Sequence, residues 1–175
     1  KHLNEKKIDK TKIEKEYENL TNTKEQKKPS IENYKLKTDN SIEEFYNPAL
    51  KPNSTIYYEE KGAKISDVKI TTLNGKEVNV LTQGKEYIYS YKVTPKRKLE
   101  NVQCGFLIKT RNGTVLGGCA YPSRDTFMES IEKKQIIHIY FNCNLNDGEY
   151  FLNAGILASI GEKRDYIHRI LDAYM

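Results

Sequence analysis

The arrangement of apolar residues between Ala63 and Ser159 constrains the fold more than any other feature of the sequence. Apolar and polar residues alternate in several short segments, most clearly in Tyr87–Val93 and Gln135–Leu145. Alternation with a period of two places the apolar side chains on one face of a β-strand. Turn sequences separate the segments: Asn74-Gly75, Arg111-Asn112-Gly113 and Asn146-Asp147-Gly148. Roughly seven short strands at intervals of about ten residues predict an antiparallel β-sandwich.

A tyrosine after the last of these turns refines the prediction to an immunoglobulin-like β-sandwich, an all-β fold. Tyr150 follows Asn146-Asp147-Gly148 and begins the next predicted strand. In immunoglobulin-like sandwiches, a tyrosine just inside a late strand donates a hydrogen bond to the backbone upstream, an arrangement called the tyrosine corner. An ordinary half-buried tyrosine would fit the same position, so both interpretations stay open.

The C-terminal segment Asp165–Ala173 has a different pattern. Ile167, Ile170 and Leu171 recur at helical spacing, which predicts a short terminal helix. His168 lies within this segment, and we interpret it as a surface or interface residue.

The sequence lacks the common motifs of catalysis and cofactor binding. It contains no G-x-x-x-x-G-K-[ST], G-x-G-x-x-G or G-x-S-x-G sequence, and no Cys or His pair has metal-ligand spacing. We therefore predict no cofactor and no catalytic residues in this domain. The three cysteines, Cys104, Cys119 and Cys143, are predicted to be small buried hydrophobic residues in a reducing compartment.

Residues 1–44 differ in composition from the rest of the chain. Residues 1–28 contain nine Lys against six Asp or Glu, and so supply about three of the five net positive charges. Lys and Glu alternate there, whereas a nucleic-acid-binding arm would be uniformly basic. We predict a polar Lys/Glu-rich linker over 1–44 with one short helix around 10–26, then a sandwich domain over 45–175, and no nucleic-acid partner. Because the chain begins at Lys1, we expect a fragment of a longer protein.

The outward-facing rows of the predicted strands combine aromatic rings with amide and hydroxyl groups. Such rings stack on the C–H-rich faces of pyranose sugars, and amides pair with sugar hydroxyls. The candidate glycan-binding residues are His138, Tyr140, Asn142, Ser90, Gln103, Lys109, Phe151 and Asn153. A decorated sheet surface or a dimer contact would use the same rows, so these interpretations stay open.

Several segments, in a fixed order, resemble one protein family. They are Phe45–Leu50, Ser54–Tyr58, Tyr87–Val93, Gly105–Thr110, Gly148–Tyr150 and Asp165–Ala173. Together they are similar to the C-terminal carbohydrate-binding domain of the ATP-binding subunit of O-antigen polysaccharide ABC exporters, the Wzt type. The resemblance extends over roughly residues 45–175.

This resemblance implies a non-catalytic module that recognises the non-reducing end of a lipid-linked O-polysaccharide and commits it to export. It implies a cytoplasmic domain, peripheral to the inner membrane, that forms a homodimer by exchanging a C-terminal strand. Its other partners would be the ATPase and membrane subunits of the transporter. ATP and Mg²⁺ would bind in an ATPase domain that lies outside this sequence. Binding residues in the family vary with the glycan, so the site residues above rest on strand alternation.

Two other functions stay open. A structural sandwich that mediates dimerisation, or docking to an ATPase or another enzyme, would use the outer rows as a protein interface. A glycan-modifying enzyme would need two carboxylates that converge in a cleft, and the sequence shows no such pair.

Overall fold

The computed structural model describes residues 43–123 and 126–175. The predicted helix around 10–26 lies outside these residues, as does all of the predicted linker except positions 43 and 44. The described residues form nine strands: β1 (Ile56–Tyr57), β2 (Ala63–Thr72), β3 (Glu86–Pro95), β4 (Leu99–Thr110), β5 (Val115–Tyr121), β6 (Met128–Ile131), β7 (Gln135–Asn142), β8 (Tyr150–Ile160) and β9 (Lys163–Tyr174). No described segment is a helix of the length and apolar character that crossing a membrane requires.

The strands form two antiparallel sheets that pack face to face. The six-stranded sheet has the order β1-β9-β8-β4-β5, and β6 also pairs with β4. The three-stranded sheet has the order β2-β3-β7. This arrangement confirms the predicted immunoglobulin-like β-sandwich.

The core between the sheets contains the apolar rows that the alternation predicts. Tyr87, Tyr89 and Tyr91 on β3 point inward and are almost completely buried. From the other sheet, Phe106 on β4 and Ile156 on β8 meet them. The Tyr89 ring centroid lies 5.2 Å from that of Phe106, so aromatic contacts join the two sheets.

Tyr150 makes the hydrogen bond of a tyrosine corner. Its hydroxyl donates to the backbone carbonyl of Asn146, four residues upstream, at 2.9 Å. The bond ties the start of β8 to the turn before it, which is the arrangement that the sequence suggested.

The predicted C-terminal helix is wrong, because Lys163–Tyr174 forms strand β9 between β1 and β8. Its pairing with β8 shifts register twice, between Ile156 and Leu157 and between Leu152 and Ala154. Such bulges insert extra residues into one strand and break the strict alternation of side chains. The apolar residues of β9 therefore recur three and four residues apart, which is the spacing typical of a helix.

The interpretation of His168 as a surface or interface residue is also wrong. Only 2% of its surface is exposed, and its Nδ1 accepts a hydrogen bond from the backbone N–H of Ile65 at 3.0 Å. Ile65 lies on β2, so this side chain links the two sheets. Burial lowers the pKa of His168, the nearby carboxylate of Glu60 opposes that shift, and Lys64 adds to it.

The prediction of three buried cysteines holds for Cys104 and Cys143 and is wrong for Cys119. Cys119 pairs with the core residue Phe106 and so faces the same side of the sheet. It is nevertheless exposed, because the three-stranded sheet does not extend over β5. Every residue of β5 is exposed.

Two strand boundaries differ from the sequence pattern. Residues 78–81 contain one isolated bridge, between Val80 and Phe45, rather than the expected strand. Strand β7 ends at Asn142, so Cys143 and Leu145 lie beyond it. Cys143 still exchanges backbone hydrogen bonds with the Gly84-Lys85 segment, which explains why the apolar pattern continues past the strand.

Candidate ligand groove

A groove of about 670 Å³ crosses the face of the six-stranded sheet that points away from the core. We call it the outer groove. It runs over β5, β4, β8 and β9, and its lining residues are Gln103, Cys104, Gly105, Phe106, Leu107, Gly118, Cys119, Ala120, Asn153, Ala154, Gly155, Leu157, Tyr166 and Arg169. Its volume lies within the usual range of ligand sites, roughly 300–1,000 Å³.

Three glycines form the floor of the outer groove. Gly105 on β4 pairs directly with Gly155 on β8, and Gly118 on β5 pairs with Leu107. A Cβ atom on Gly105 would lie 2.6 Å from the carbonyl oxygen of Cys119, and one on Gly118 would overlap the carbonyl of Phe106. Larger residues therefore do not fit at these two positions, and the absence of side chains leaves the sheet surface recessed.

Core tyrosines hold this floor from beneath. The Tyr91 hydroxyl lies 3.1 Å from the carbonyl oxygen of Gly105 and 3.0 Å from that of Gly155. The Tyr89 hydroxyl donates to the carbonyl of Asn153 at 3.2 Å. Burial of these hydroxyls raises the pKa of both tyrosines well above the ordinary value, so they stay neutral donors.

Tyr166 and Arg169 form the wall of the outer groove on the β9 side. The Tyr166 ring lies across Gly155, since a Cβ atom there would be 3.3 Å from its Cε1. The guanidinium carbon of Arg169 lies 4.9 Å from the Tyr166 ring centroid and 5.8 Å from that of Tyr58. Among the described residues, no carboxylate pairs with Arg169. Its N–H groups can therefore bind a ligand.

Gln103 lines the groove but uses its amide to hold the protein together. Its Nε2 donates to the carbonyls of Pro122 and Ser123, both at 3.0 Å, and its Oε1 accepts from Arg164 at 3.3 Å. Arg164 in turn stacks on Phe127, with 3.8 Å between the guanidinium carbon and the ring centroid. Gln103 therefore fixes Pro122 and Ser123 after β5 and positions this end of the groove.

Asn153 lines the centre of the outer groove on β8. Its Oδ1 accepts a hydrogen bond from the backbone N–H of Asp172 at 2.8 Å. Within residues 43–123 and 126–175, its Nδ2 has no hydrogen-bond partner. This amide nitrogen can donate to a bound hydroxyl.

Lys109 and Phe151 share this face but lie beyond the groove. The two residues pair across β4 and β8, and the Lys109 ammonium lies 6.0 Å from the Phe151 ring centroid. Lys109 Nζ also lies 2.5 Å from Asp172 Oδ1, as an ion pair without hydrogen-bond alignment. Asp172 is 5% exposed, and its Oδ2 accepts from the Ser54 hydroxyl at 2.5 Å. The ammonium group of Lys109 is therefore already paired with the buried carboxylate of Asp172.

The other four predicted site residues lie on the outer face of the three-stranded sheet. Ser90 pairs with His138, and Tyr140 and Asn142 follow on the same face of β7. Ser90 is 3% exposed, whereas Tyr140 is 62% exposed. Because the two sheets pack about 10 Å apart, these residues and the outer groove lie on opposite sides of the sandwich. One small ligand cannot contact both groups.

The strand alternation did not identify the residues that shape the groove. Tyr166 and Arg169 lie in the segment predicted as a helix. Gly155 lies in the outward row of β8, but the alternation of a single strand does not show that the sheet surface is recessed there. A signal was available, because Gly161 and the β-branched and aromatic residues around Tyr166 are typical of a hairpin and a strand. Gly161 does occupy the turn between β8 and β9, with a φ of 62°.

Two antiparallel sheets with a recessed groove on one outer face define an immunoglobulin-like β-sandwich module. Across residues 43–123 and 126–175, no group of three or more His, Cys, Asp or Glu side chains is placed to hold a metal ion. The model of one family, the Wzt C-terminal domain, matches residues 54–175. The chain belongs to this family, which is associated with O-antigen ABC exporters as a non-catalytic accessory domain of the ATPase.

A solved structure supports the same assignment. The crystal structure of the C-terminal domain of wzt superposes with a TM-score of 0.59 and 25% sequence identity. The match covers 74% of this chain and 78% of that chain. No curated protein matches the sequence.

Proposed function

We propose that this domain binds the non-reducing end of a lipid-linked O-polysaccharide in the outer groove and thereby commits the finished chain to export. The observation that carries the proposal is the glycine floor beside the Tyr166–Arg169 wall. It combines a recessed surface with an aromatic face and with hydrogen-bond donors that have no acceptor among the described residues.

The chemistry of this groove suits a sugar ring. A pyranose presents C–H groups on one face, which pack on the Tyr166 ring, and hydroxyls at its edge. Arg169 and the Nδ2 of Asn153 can donate hydrogen bonds to those hydroxyls. Gln103 supports the site by holding Pro122 and Ser123 after β5.

The cellular setting follows from the family. We infer that the domain works in the cytoplasm, beside the inner membrane, attached to the ATPase subunit and close to the membrane subunits of the exporter. It needs no cofactor of its own, and ATP and Mg²⁺ act in the ATPase domain. Residues 1–44 would connect the sandwich, residues 45–175, to the rest of the subunit.

The affinity for a single chain end should be modest. A shallow groove covers only part of a sugar, and each well-placed hydrogen bond contributes about 1 kcal/mol net. Binding would gain strength when two linked domains engage two non-reducing ends of one branched chain.

Calorimetric titration can test the site. The ligand would be oligosaccharide released from the non-reducing end of the O-polysaccharide of the source organism. We expect Tyr166→Ala and Arg169→Ala each to weaken binding by about tenfold, which corresponds to about 1.4 kcal/mol. Tyr140→Ala is the matched control, because it removes an exposed tyrosine from the other sheet.

The outcomes separate the alternatives. If Tyr140→Ala weakens binding and Tyr166→Ala does not, the glycan binds the face that carries Ser90, His138 and Asn142. If the wild-type chain binds no oligosaccharide at millimolar concentration, a structural sandwich that docks to the ATPase becomes the better interpretation. Melting curves of each variant would show that the fold is intact.

A further inference from the structure

We propose that Tyr58 forms a second sugar subsite, which binds the penultimate sugar of the polysaccharide while the outer groove holds the terminal one. The chain then leaves the outer groove across β9 and β1. This inference rests on the proposed function, and it specifies how many sugar units the site contacts and in which direction the polysaccharide runs.

Tyr58 stands in the same cross-strand row as the floor of the outer groove. Gly105 on β4 pairs with Gly155 on β8, and Gly155 pairs with Arg169 on β9. The register of β1 against β9 continues the row to Tyr58, whose backbone N–H donates to the carbonyl of Arg169 at 2.9 Å. Directly opposed residues of neighbouring strands project from the same face of a sheet. Tyr58 therefore lies on the outer face, at the β1 edge of the sheet.

This row places one cation between two aromatic rings. The guanidinium carbon of Arg169 lies 4.9 Å from the Tyr166 ring centroid and 5.8 Å from the Tyr58 ring centroid. Both rings keep free surface, since Tyr58 is 48% exposed and Tyr166 is 37% exposed. A sugar can therefore pack on either ring, and the N–H groups of Arg169 can donate hydrogen bonds to the oxygens of both sugars.

A single pyranose cannot contact both the glycine floor and Tyr58. Neighbouring strands lie about 4.8 Å apart, so two strand spacings, about 10 Å, separate the backbone at Gly155 from the backbone at Tyr58. One pyranose ring is smaller than this distance, whereas two linked sugars extend over it. A disaccharide can therefore place its terminal ring against Tyr166 and its second ring against Tyr58.

The β5 end of the row has no comparable ring on the outer face. Ala120 pairs with Gly105 there, and Gly118 lies on the same face of β5. Tyr121 pairs with the buried residue Cys104 and so projects from the opposite face. Within residues 43–123 and 126–175, the aromatic surface that continues this row beyond the groove is therefore at the β1 end, which gives the direction in which the polysaccharide leaves.

Tyr57 provides a matched control on the same strand. It pairs with the core residue Ile170, so its side chain projects from the face opposite to that of Tyr58. It is 70% exposed. Tyr57→Ala therefore removes an exposed ring from the neighbouring position without changing the outer face.

Nuclear magnetic resonance titration of the full chain tests the second subsite. The probes are the methyl glycoside of the terminal sugar and the terminal disaccharide of the O-polysaccharide of the source organism. We expect the wild type to bind the disaccharide about fivefold more tightly than the monosaccharide, the gain typical of one added ring contact. Tyr58→Ala should abolish this gain and leave the dissociation constant of the monosaccharide unchanged.

Two further variants separate the ring from the fold of β1. Tyr58→Phe keeps the ring and should retain the gain, as should Tyr57→Ala. Melting curves that match the wild type would show that β1 remains in place in each variant.

The outcomes distinguish the second subsite from the proposed function. If Tyr58→Ala binds the disaccharide as tightly as the wild type, while Tyr166→Ala weakens binding, the second subsite is wrong and the proposed function stands. Equal weakening of both probes by Tyr58→Ala would also overturn the subsite, because Tyr58 would then act only by positioning Arg169. A wild-type chain that binds neither probe at millimolar concentration would overturn the proposed function and this inference with it.

Discussion

The outer faces of the two sheets carry similar residues and differ in shape. On the three-stranded sheet, His138, Tyr140 and Asn142 project from a continuous strand surface. On the six-stranded sheet, the paired Gly105 and Gly155 lower the floor, so that neighbouring side chains become walls. A binding site on a sheet therefore depends on where side chains are missing as much as on which ones are present.

The largest expected effect is a difference in stability between variants of an inward-facing and an outward-facing tyrosine of the three-stranded sheet. Tyr91→Ala removes a fully buried ring that also supports two floor glycines, Gly105 and Gly155, and should cost about 3–5 kcal/mol of unfolding free energy. Tyr140→Ala removes an exposed ring and should change stability by about 0.5 kcal/mol or less. Denaturant unfolding measures both. Equal losses of unfolding free energy in the two variants would mean that the inward and outward faces of these strands are assigned wrongly.

A smaller effect should distinguish the ion pairs on the two outer faces. Lys109→Met leaves the buried carboxylate of Asp172 without its cation and should cost about 3 kcal/mol. Lys92→Met breaks a solvent-exposed pair with Asp67 and should leave the free energy of unfolding nearly unchanged. The same unfolding experiment compares them. In the double variant Lys109→Met/Asp172→Asn, part of the loss should be recovered, and failure to recover it would contradict the ion-pair explanation.

The smallest expected effect concerns His168 and appears as pH dependence. Burial, with Lys64 and Lys96 nearby, holds the pKa of His168 below its ordinary value, and Glu60 opposes the shift. As pH falls through about 6.5, the unfolded chain takes up a proton that the folded chain does not. The contribution of His168 to the free energy of unfolding should therefore be fully present above that pH and be lost as the pH falls below it.

Substitution of His168 isolates this contribution. We expect His168→Gln to flatten the decline in unfolding free energy between about pH 7 and pH 5, where free histidine titrates. Parallel slopes for the wild type and His168→Gln would exclude His168 as the cause.

Much of the fold was predictable because strand alternation reports directly which face is buried. The inward row of Tyr87, Tyr89 and Tyr91 and the outward row of β7 follow from a period of two. Strand β9 was not predictable in this way, because its bulges near Ile167 and Asp172 disturb the period. The positive φ of Asp172, 49°, marks the second bulge and has no sequence signal of its own.

The groove was only partly predictable, for a related reason. Gln103 and Asn153 were identified from their outward position, and both line the groove. Its depth arises from pairing Gly105 with Gly155 across two strands, which depends on register. Register is a property of the sheet, whereas alternation is a property of one strand. The exposure of Cys119 likewise depends on how far the opposite sheet extends.

The most direct test of the proposed site is nuclear magnetic resonance of the full chain during titration with the terminal oligosaccharide. Amide shifts would be compared between the two outer faces. The proposal predicts saturable changes at Gly105, Gly155 and Tyr166, with Ser90 and His138 unchanged. Changes confined to Ser90, His138 and their neighbours on the three-stranded sheet would contradict it.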